Sequence, residues 1–198
     1  AAPAATSPGA GPVIVVETVK GTFEFETYPN EAPKTVARIV ELVNKRFYNG
    51  QRVHRVVPNF VMQLGDPTTR DMTKQADWGR FGSGTPIGVA EITKKRRHIR
   101  GAVAMAYPGS DPRGADSQFY ILLRPHPELD AKYTVFGRVI KGMEVVDALY
   151  TGYGNTPDQG QLHYKGDEYL RQGLPRLDTL KAATVLAAEE RISAIDAE

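Results

Sequence analysis

The chain has 198 residues, 25 of them basic and 23 acidic, with a formal net charge of +2 and no cysteine. That length supports one sizeable core, the near balance of charge gives no electrostatic case for nucleic acid or an anionic membrane surface, and the missing thiols exclude disulfides and cysteine chemistry. No run approaches the roughly 18 apolar residues of a membrane helix.

Residues 1–12 contain only Ala, Pro, Gly, Ser and Thr, a composition that predicts a flexible tail. The Ala-Ala-Pro start resembles the end left after removal of an export signal, so the expectation is a periplasmic or secreted protein, with a cytoplasmic one as the alternative. Residues 13–18 and 22–27 read as hairpin strands around Lys20-Gly21, with Phe23 and Phe25 inward and Glu24 and Glu26 outward. Pro33 suits a first helical position, and Val36, Ile39, Val40, Val43 and Phe47 recur at helical spacing, predicting a helix that stops near Asn49-Gly50.

Residues 53–66 read as two short apolar strands joined at a Pro58-Asn59 turn. Arg55 is the anomaly among them. Alternation puts Arg55 on the side of Val53 and Val57, facing either Phe60 and Met62 or Val61 and Gln63 on the next strand, so one face would present a guanidinium beside a phenyl ring and an amide. From these residues alone, an edge-strand charge or a partner for Glu24 or Glu26 is the plainer reading.

Residues 67–84 are polar and loop-like, with Met72, Trp78 and Phe81 expected to tack the loop down. Residues 101–106, 118–123 and 133–140 read as strands, 143–150 as a second short helix, and 181–186 as the last strand. Residues 151–178 form an extended loop rich in Gly, Asp and Gln, and 187–198 a frayed helix or disordered tail. Many short strands with two helices predict a mainly β protein: a closed eight-stranded antiparallel barrel capped by two α-helices, forming one domain over residues 13–186.

Other chemistries fit poorly. The basic run Lys94-Lys95-Arg96-Arg97-His98, followed by Arg100, lacks interleaved aromatics and reads as solvated loop rather than a nucleic-acid site. His54, His98, His126 and His163 show no metal-ligand spacing, and no metal or other cofactor is expected. Gly82-Ser83-Gly84 lacks the Gly-x-Ser-x-Gly elbow of a serine hydrolase.

Three stretches, residues 53–66, 114–121 and 129–137, together resemble the cyclophilins, a family of peptidyl-prolyl cis/trans isomerases. The family signature Phe-His-Arg-(apolar)2-Pro-x-Phe-(x)2-Gln-x-Gly-Asp is met from His54 to Asp66, with Val53 departing at the first position. The resemblance implies a catalytic group of Arg55, Phe60 and Gln63. It implies a proline pocket of Phe60, Tyr120 and Leu129, a groove lined by Gln63, Ala106 and Gln118, and further substrate contacts from Val61, Tyr107 and Tyr133. Tyr120 stands where many members have phenylalanine, Val61 where methionine is usual and Tyr133 where histidine is frequent. Glu128 occupies the tryptophan position of cyclosporin-sensitive members, and Tyr107 replaces an asparagine, so weak cyclosporin binding and altered substrate preference are expected. Partners would be proline-containing peptides and unfolded or folding proteins, without nucleic acid or membrane, and the enzyme would act as a monomer. A cyclophilin-like scaffold that only binds proline segments, and a lipocalin-type barrel with an internal ligand, are the competing readings; apolar inward positions argue against the second.

Overall fold

The computed structural model describes residues 4–149 and 178–186. The extended loop expected at 151–178 therefore lies outside the described residues except for Asp178, as does the tail at 187–198.

The eight strands are β1 (Val13–Thr18), β2 (Gly21–Thr27), β3 (Arg55–Val57), β4 (Val61–Leu64), β5 (Ala102–Met105), β6 (Phe119–Leu122), β7 (Val135–Lys141) and β8 (Leu180–Leu186). All are paired antiparallel in one curled sheet of order β3-β4-β6-β5-β7-β2-β1-β8. The mainly β expectation holds, but the closed barrel is corrected. β3 is only three residues long and leaves for the next hairpin before it can pair with β8. The two ends of the sheet meet instead upstream of β3, at one isolated bridge between Arg52 and Thr179. Around it, Gly50 N–H donates to Leu180 O at 2.8 Å, Leu180 N–H to Gln51 O at 2.8 Å and Val53 N–H to Asp178 O at 2.9 Å.

Strand alternation divides the side chains into two sets. Met62 and Leu64, Val103 and Met105, Phe119 and Ile121, and Phe136 join Phe23 and Phe25 in the inner core. Phe25, Phe119 and Phe136 pack edge-to-face or tilted at 5.8 to 6.1 Å between ring centroids, which fills the interior that a lipocalin-type ligand would need. Val61, Ala102, Ala104, Tyr120, Leu122 and Val135 face the other way and form a second, outer cluster. Tyr48 closes one end of the core, its ring 5.5 Å from Phe119 and its hydroxyl donating to Ser117 O at 2.9 Å. Removing that hydroxyl in Tyr48→Phe is expected to lower the unfolding free energy measured in urea by about 1 kcal/mol, with the carbonyl left unsatisfied.

Helix α1 (Pro33–Asn44) buries Thr35, Val36, Ile39, Leu42 and Val43 against this core. Ala32 supplies no side-chain cap; Glu91 does so from a distant loop, accepting from Lys34 N–H at 3.0 Å and Thr35 N–H at 2.8 Å. The helix ends five residues before Asn49 because Arg46 takes a left-handed φ of 56°. Phe47 N–H then returns to Leu42 O and Arg46 N–H to Val43 O, both at 2.9 Å, a Schellman stop made without the usual glycine. Helix α2 (Met143–Asp147) is likewise shorter than expected. No helix among the described residues is long and apolar enough to cross a membrane.

Four expectations from the sequence change. Glu26 is 1% exposed rather than outward, paired with Arg138 at 3.3 Å. Of the three residues meant to tack down residues 67–84, Trp78 is fully buried and donates to Thr68 O at 3.0 Å, but Phe81 is 51% exposed and Met72 is also at the surface. The basic run is not solvated throughout. The Arg96 guanidinium lies 3.6 Å from the Tyr28 ring centroid and pairs with Glu31, and His98 is buried. Residues 7–12 differ from a free tail: Arg96 donates to Ser7 O at 2.6 Å, Gly11 N–H to Thr27 O at 3.2 Å, and Thr27 Oγ1 to Pro12 O at 2.7 Å. A Cβ on Gly9 would come within 2.3 Å of Thr27 O, so this glycine permits close approach of two backbones rather than flexibility.

Candidate active site

Short β3 and β4 are joined at Pro58-Asn59, where Asn59 has φ 61° and Phe60 N–H donates to Val57 O at 3.0 Å, the signature of a type II turn. The register pairs Arg55 with Gln63 and Val57 with Val61, so Arg55, Val61 and Gln63 share the outer face. Arg55 Nη1 donates to Gln63 Oε1 at 3.0 Å, and its guanidinium carbon stands 5.7 Å from the Phe60 ring centroid. Gln63 Nε2 donates in turn to Gln118 Oε1 at 2.9 Å. Gln118 Nε2 reaches Gly79 O at 3.0 Å and Phe81 O at 2.8 Å, tying the row to the loop that follows β4. Glu24 and Glu26, the partners the plainer reading offered Arg55, are engaged by Lys141 and Arg138.

A cavity of about 300 Å³ opens beside Arg55. Its walls are Arg55, Phe60, Val61, Gln63, Ala106, Tyr107, Tyr120, Leu129 and Tyr133, all of them residues the sequence points to. Gln118 is absent from this cavity. It lines a neighbouring one of about 380 Å³ with Arg80, Phe81, Pro108 and Asp116, and Gln63, Ala106 and Tyr107 are common to both. The two together make a continuous groove. Tyr107 and Tyr133 pack tilted at 33° with centroids 4.9 Å apart on its wall, and Tyr107 OH donates to Lys132 O at 3.2 Å.

Electrostatics follow from burial. Partial burial draws the Arg55 pKa below the usual guanidinium value without threatening its charge at neutral pH. Tyr120 is nearly enclosed and its hydroxyl is pushed well above the ordinary phenol value, so it stays a donor. It finds an acceptor in His98 Nε2 at 3.0 Å, while His98 Nδ1 faces Asp130 Oδ1 at 3.0 Å. Burial depresses the His98 pKa, which leaves the ring neutral; the carboxylate fixes the Nδ1–H tautomer, and Nε2 accepts from Tyr120. The Tyr120 hydroxyl is thus turned away from the cavity. Sequence reasoning missed His98 and Asp130. The readable clue was a tyrosine at a pocket position, whose hydroxyl needs a partner when buried.

His54 lies behind Arg55 in the interior, and burial pushes its pKa down to about 4. The unfolded ring titrates near 6.5, so above that pH both states are neutral and the group contributes no pH dependence. Below it the unfolded chain takes up a proton that the folded chain refuses until about 4, and stability falls as pH falls across that window. Urea unfolding at pH 7 and pH 5 is expected to show a loss of about 2 kcal/mol. Equal stabilities would mean that His54 is protonated within the fold. Among the described residues no cluster of His, Cys, Asp and Glu could hold a metal ion.

Comparisons with known proteins agree with this geometry. The family described as cyclophilin type peptidyl-prolyl cis-trans isomerase/CLD matches residues 13–163. A peptidyl-prolyl cis-trans isomerase of Arabidopsis thaliana is 37% identical over 143 residues, 71% of this chain and 82% of that protein. A probable peptidyl-prolyl cis-trans isomerase of Brucella abortus is 39% identical over 142 residues, 70% of this chain and 71% of that protein. A crystal structure of a Cryptosporidium parvum cyclophilin type isomerase superposes with TM-score 0.70 over 89% of this chain and 98% of that one, at 22% identity, a likeness of fold. The same protein has been solved in the presence of the dipeptide Ala-Pro, with TM-score 0.70, 21% identity and coverage of 88% and 99% of the two chains. With its family shown over most of its length, the chain belongs to the cyclophilin-type peptidyl-prolyl cis/trans isomerases and is an enzyme of that class.

Proposed function

We propose that the substrate is a proline-containing segment of an unfolded or folding polypeptide, laid along the groove with its prolyl ring in the cavity of Phe60, Tyr120 and Leu129. Arg55 is then the principal catalytic group. Rotation about an X-Pro bond faces a barrier of about 18 to 20 kcal/mol because the amide loses its resonance on twisting. No bond breaks. At the top of the barrier the prolyl nitrogen becomes pyramidal and carries a lone pair, while the preceding carbonyl oxygen loses negative charge. A donor to the nitrogen therefore stabilises the transition state more than the ground state.

The observation that carries the proposal is the Arg55 guanidinium, held by Gln63 at 3.0 Å in the wall of a cavity that also holds Phe60, Tyr120 and Leu129. A planar fork can donate to the prolyl nitrogen and also hold the proline carbonyl. The cavity grips the ring while the N-terminal side of the peptide turns, and the partial burial of the guanidinium strengthens the arginine's hydrogen bonds. An acceleration of about five powers of ten needs roughly 7 kcal/mol of differential binding. One positioned donor supplies about 3 of these, by analogy with oxyanion-hole donors, and orientation and desolvation the rest.

Gln63 and Gln118 steer the peptide backbone, Val61 and Ala106 floor the groove, and Tyr107 and Tyr133 bias the choice of flanking residues. Weak cyclosporin binding belongs to the same proposal, because Glu128 sets a carboxylate at the rim, 60% exposed. Exchange spectroscopy on a short Ala-Pro peptide with catalytic amounts of the chain tests the activity. Faster cis/trans exchange is expected, and an unchanged exchange rate refutes it.

A further inference from the structure

Against the Phe60 ring, and outside the residues that line the cavity, lies a pair of contacts the mechanism does not use. The His126 ring stands edge-on to Phe60, with centroids 4.8 Å apart at 69°. Its Nε2 is 3.0 Å from Asn59 O and its Nδ1 2.6 Å from Glu128 Oε1. Both partners are acceptors. A backbone carbonyl has no proton to give, and the Glu128 carboxyl, its pKa lowered chiefly by His126, is ionised at neutral pH. A ring lodged between two acceptors has both bonds only when both of its nitrogens carry hydrogen, which is the imidazolium.

The two contacts lead to two different lining residues of the cavity, Phe60 and Leu129. Asn59 directly precedes Phe60, and Glu128 sits in the single 3-10 turn Pro127–Leu129 that carries Leu129. We propose that His126, as an imidazolium, is a positioning residue for the proline pocket, tying the Asn59 turn to the Pro127–Leu129 turn and so fixing the gap between Phe60 and Leu129. This rests on the reading of that cavity as the proline site. Loss of one proton leaves one donor for two acceptors, so one of the two bonds is released and the gap is held less firmly, by Arg124 on Asn59 Oδ1 and Leu123 N–H on Phe60 O.

The charged surroundings are few. On its own segment His126 has Glu128 and, two residues back, Arg124, which reaches Asn59 Oδ1 at 3.4 Å. From the segment before β5 comes His98, whose carbonyl accepts the His126 N–H at 2.8 Å and whose buried ring stays neutral. Asp130 is taken up by Arg97 and His98. The hairpin offers only the Asn59 carbonyl and the Phe60 ring among the described contacts. The Asn59 carbonyl, then Glu128, raise the His126 pKa above the ordinary imidazole value.

The test is the pH profile of isomerisation of an Ala-Pro peptide, read beside long-range ring 15N spectra of the same protein. The kcat/KM is expected to fall about threefold as pH rises through the titration of His126, mostly through KM, as for a partly exposed ion pair. His126→Gln, which keeps one donor, should be flat across that window at the alkaline wild-type level. The spectra should show His126 doubly protonated at about pH 6.5, with Phe60 ring resonances moving at the same midpoint as the imidazole. A flat wild-type profile, a neutral His126 at that pH, or unchanged pH dependence in His126→Gln overturns the proposal. If no turnover occurs at any pH, the isomerase reading fails, and the Phe60 shifts alone then decide whether the tether exists.

Discussion

Arg55→Ala is expected to lower kcat/KM for a proline peptide by about 10² to 10³, the loss associated with deleting one preorganised donor from a transition state. The drop should lie in kcat more than in KM, because the nitrogen acquires its lone pair only on twisting. Arg55→Lys should fail nearly as badly, since an ammonium cannot hold Gln63 and address both substrate atoms in one plane. Both variants should fold, because Arg55 lies on the outer face and its removal opens no hole among Phe25, Phe119 and Phe136. Exchange spectroscopy with thermal unfolding on the same samples separates the two outcomes. Near-normal turnover in either folded variant removes Arg55 from the mechanism.

Asp66→Ala should produce the largest loss of stability. Asp66 is fully buried, and its two oxygens gather both ends of the loop that follows β4. Oδ1 accepts from Thr68 N–H at 2.8 Å and Thr68 Oγ1 at 2.6 Å, while Oδ2 accepts from Gly79 N–H at 2.6 Å and Phe81 N–H at 3.1 Å. Gln118 holds the carbonyls of the same two residues, so the groove wall is gripped on its N–H side by Asp66 and on its C=O side by Gln118. Deleting the carboxylate takes the acceptor from four part-buried donors, for an expected cost of about 2 to 4 kcal/mol in urea unfolding. In whatever fraction stays folded, KM should rise while Arg55 remains in place. A variant as stable as the wild type would show that water replaces the carboxylate without cost.

The cavity was legible through the family resemblance carried by residues 53–66, 114–121 and 129–137, whereas Arg55 and its neighbours alone favoured an edge-strand charge. What the local pattern did show is the hairpin with its Pro58-Asn59 turn and a guanidinium sharing a face with Val61 and Gln63. What stayed hidden depends on contacts between segments far apart in the chain. Nothing local marks Glu91 as the cap of α1, or His98 and Asp130 as the partners of Tyr120. Glu26 and Arg96 look like surface charges until Arg138, Glu31 and Tyr28 are brought to them. Closure of the sheet was misjudged for a related reason. Counting strands does not reveal that β3 is too short to form the last ladder, or that the residues before it do the joining.

The strands beneath the cleft each serve two masters, one on either side of a single pleated layer. In β4, β5 and β6 a side chain that lines or supports the groove alternates with one that fills the interior, Tyr120 beside Ile121 and Gln63 beside Met62. Outward positions can be exchanged one at a time to suit a different client without disturbing the interior. Deleting one residue from any of these strands would transpose the two sets, sending phenylalanine into water and polar groups into oil, so that catalysis and folding would be lost in one step.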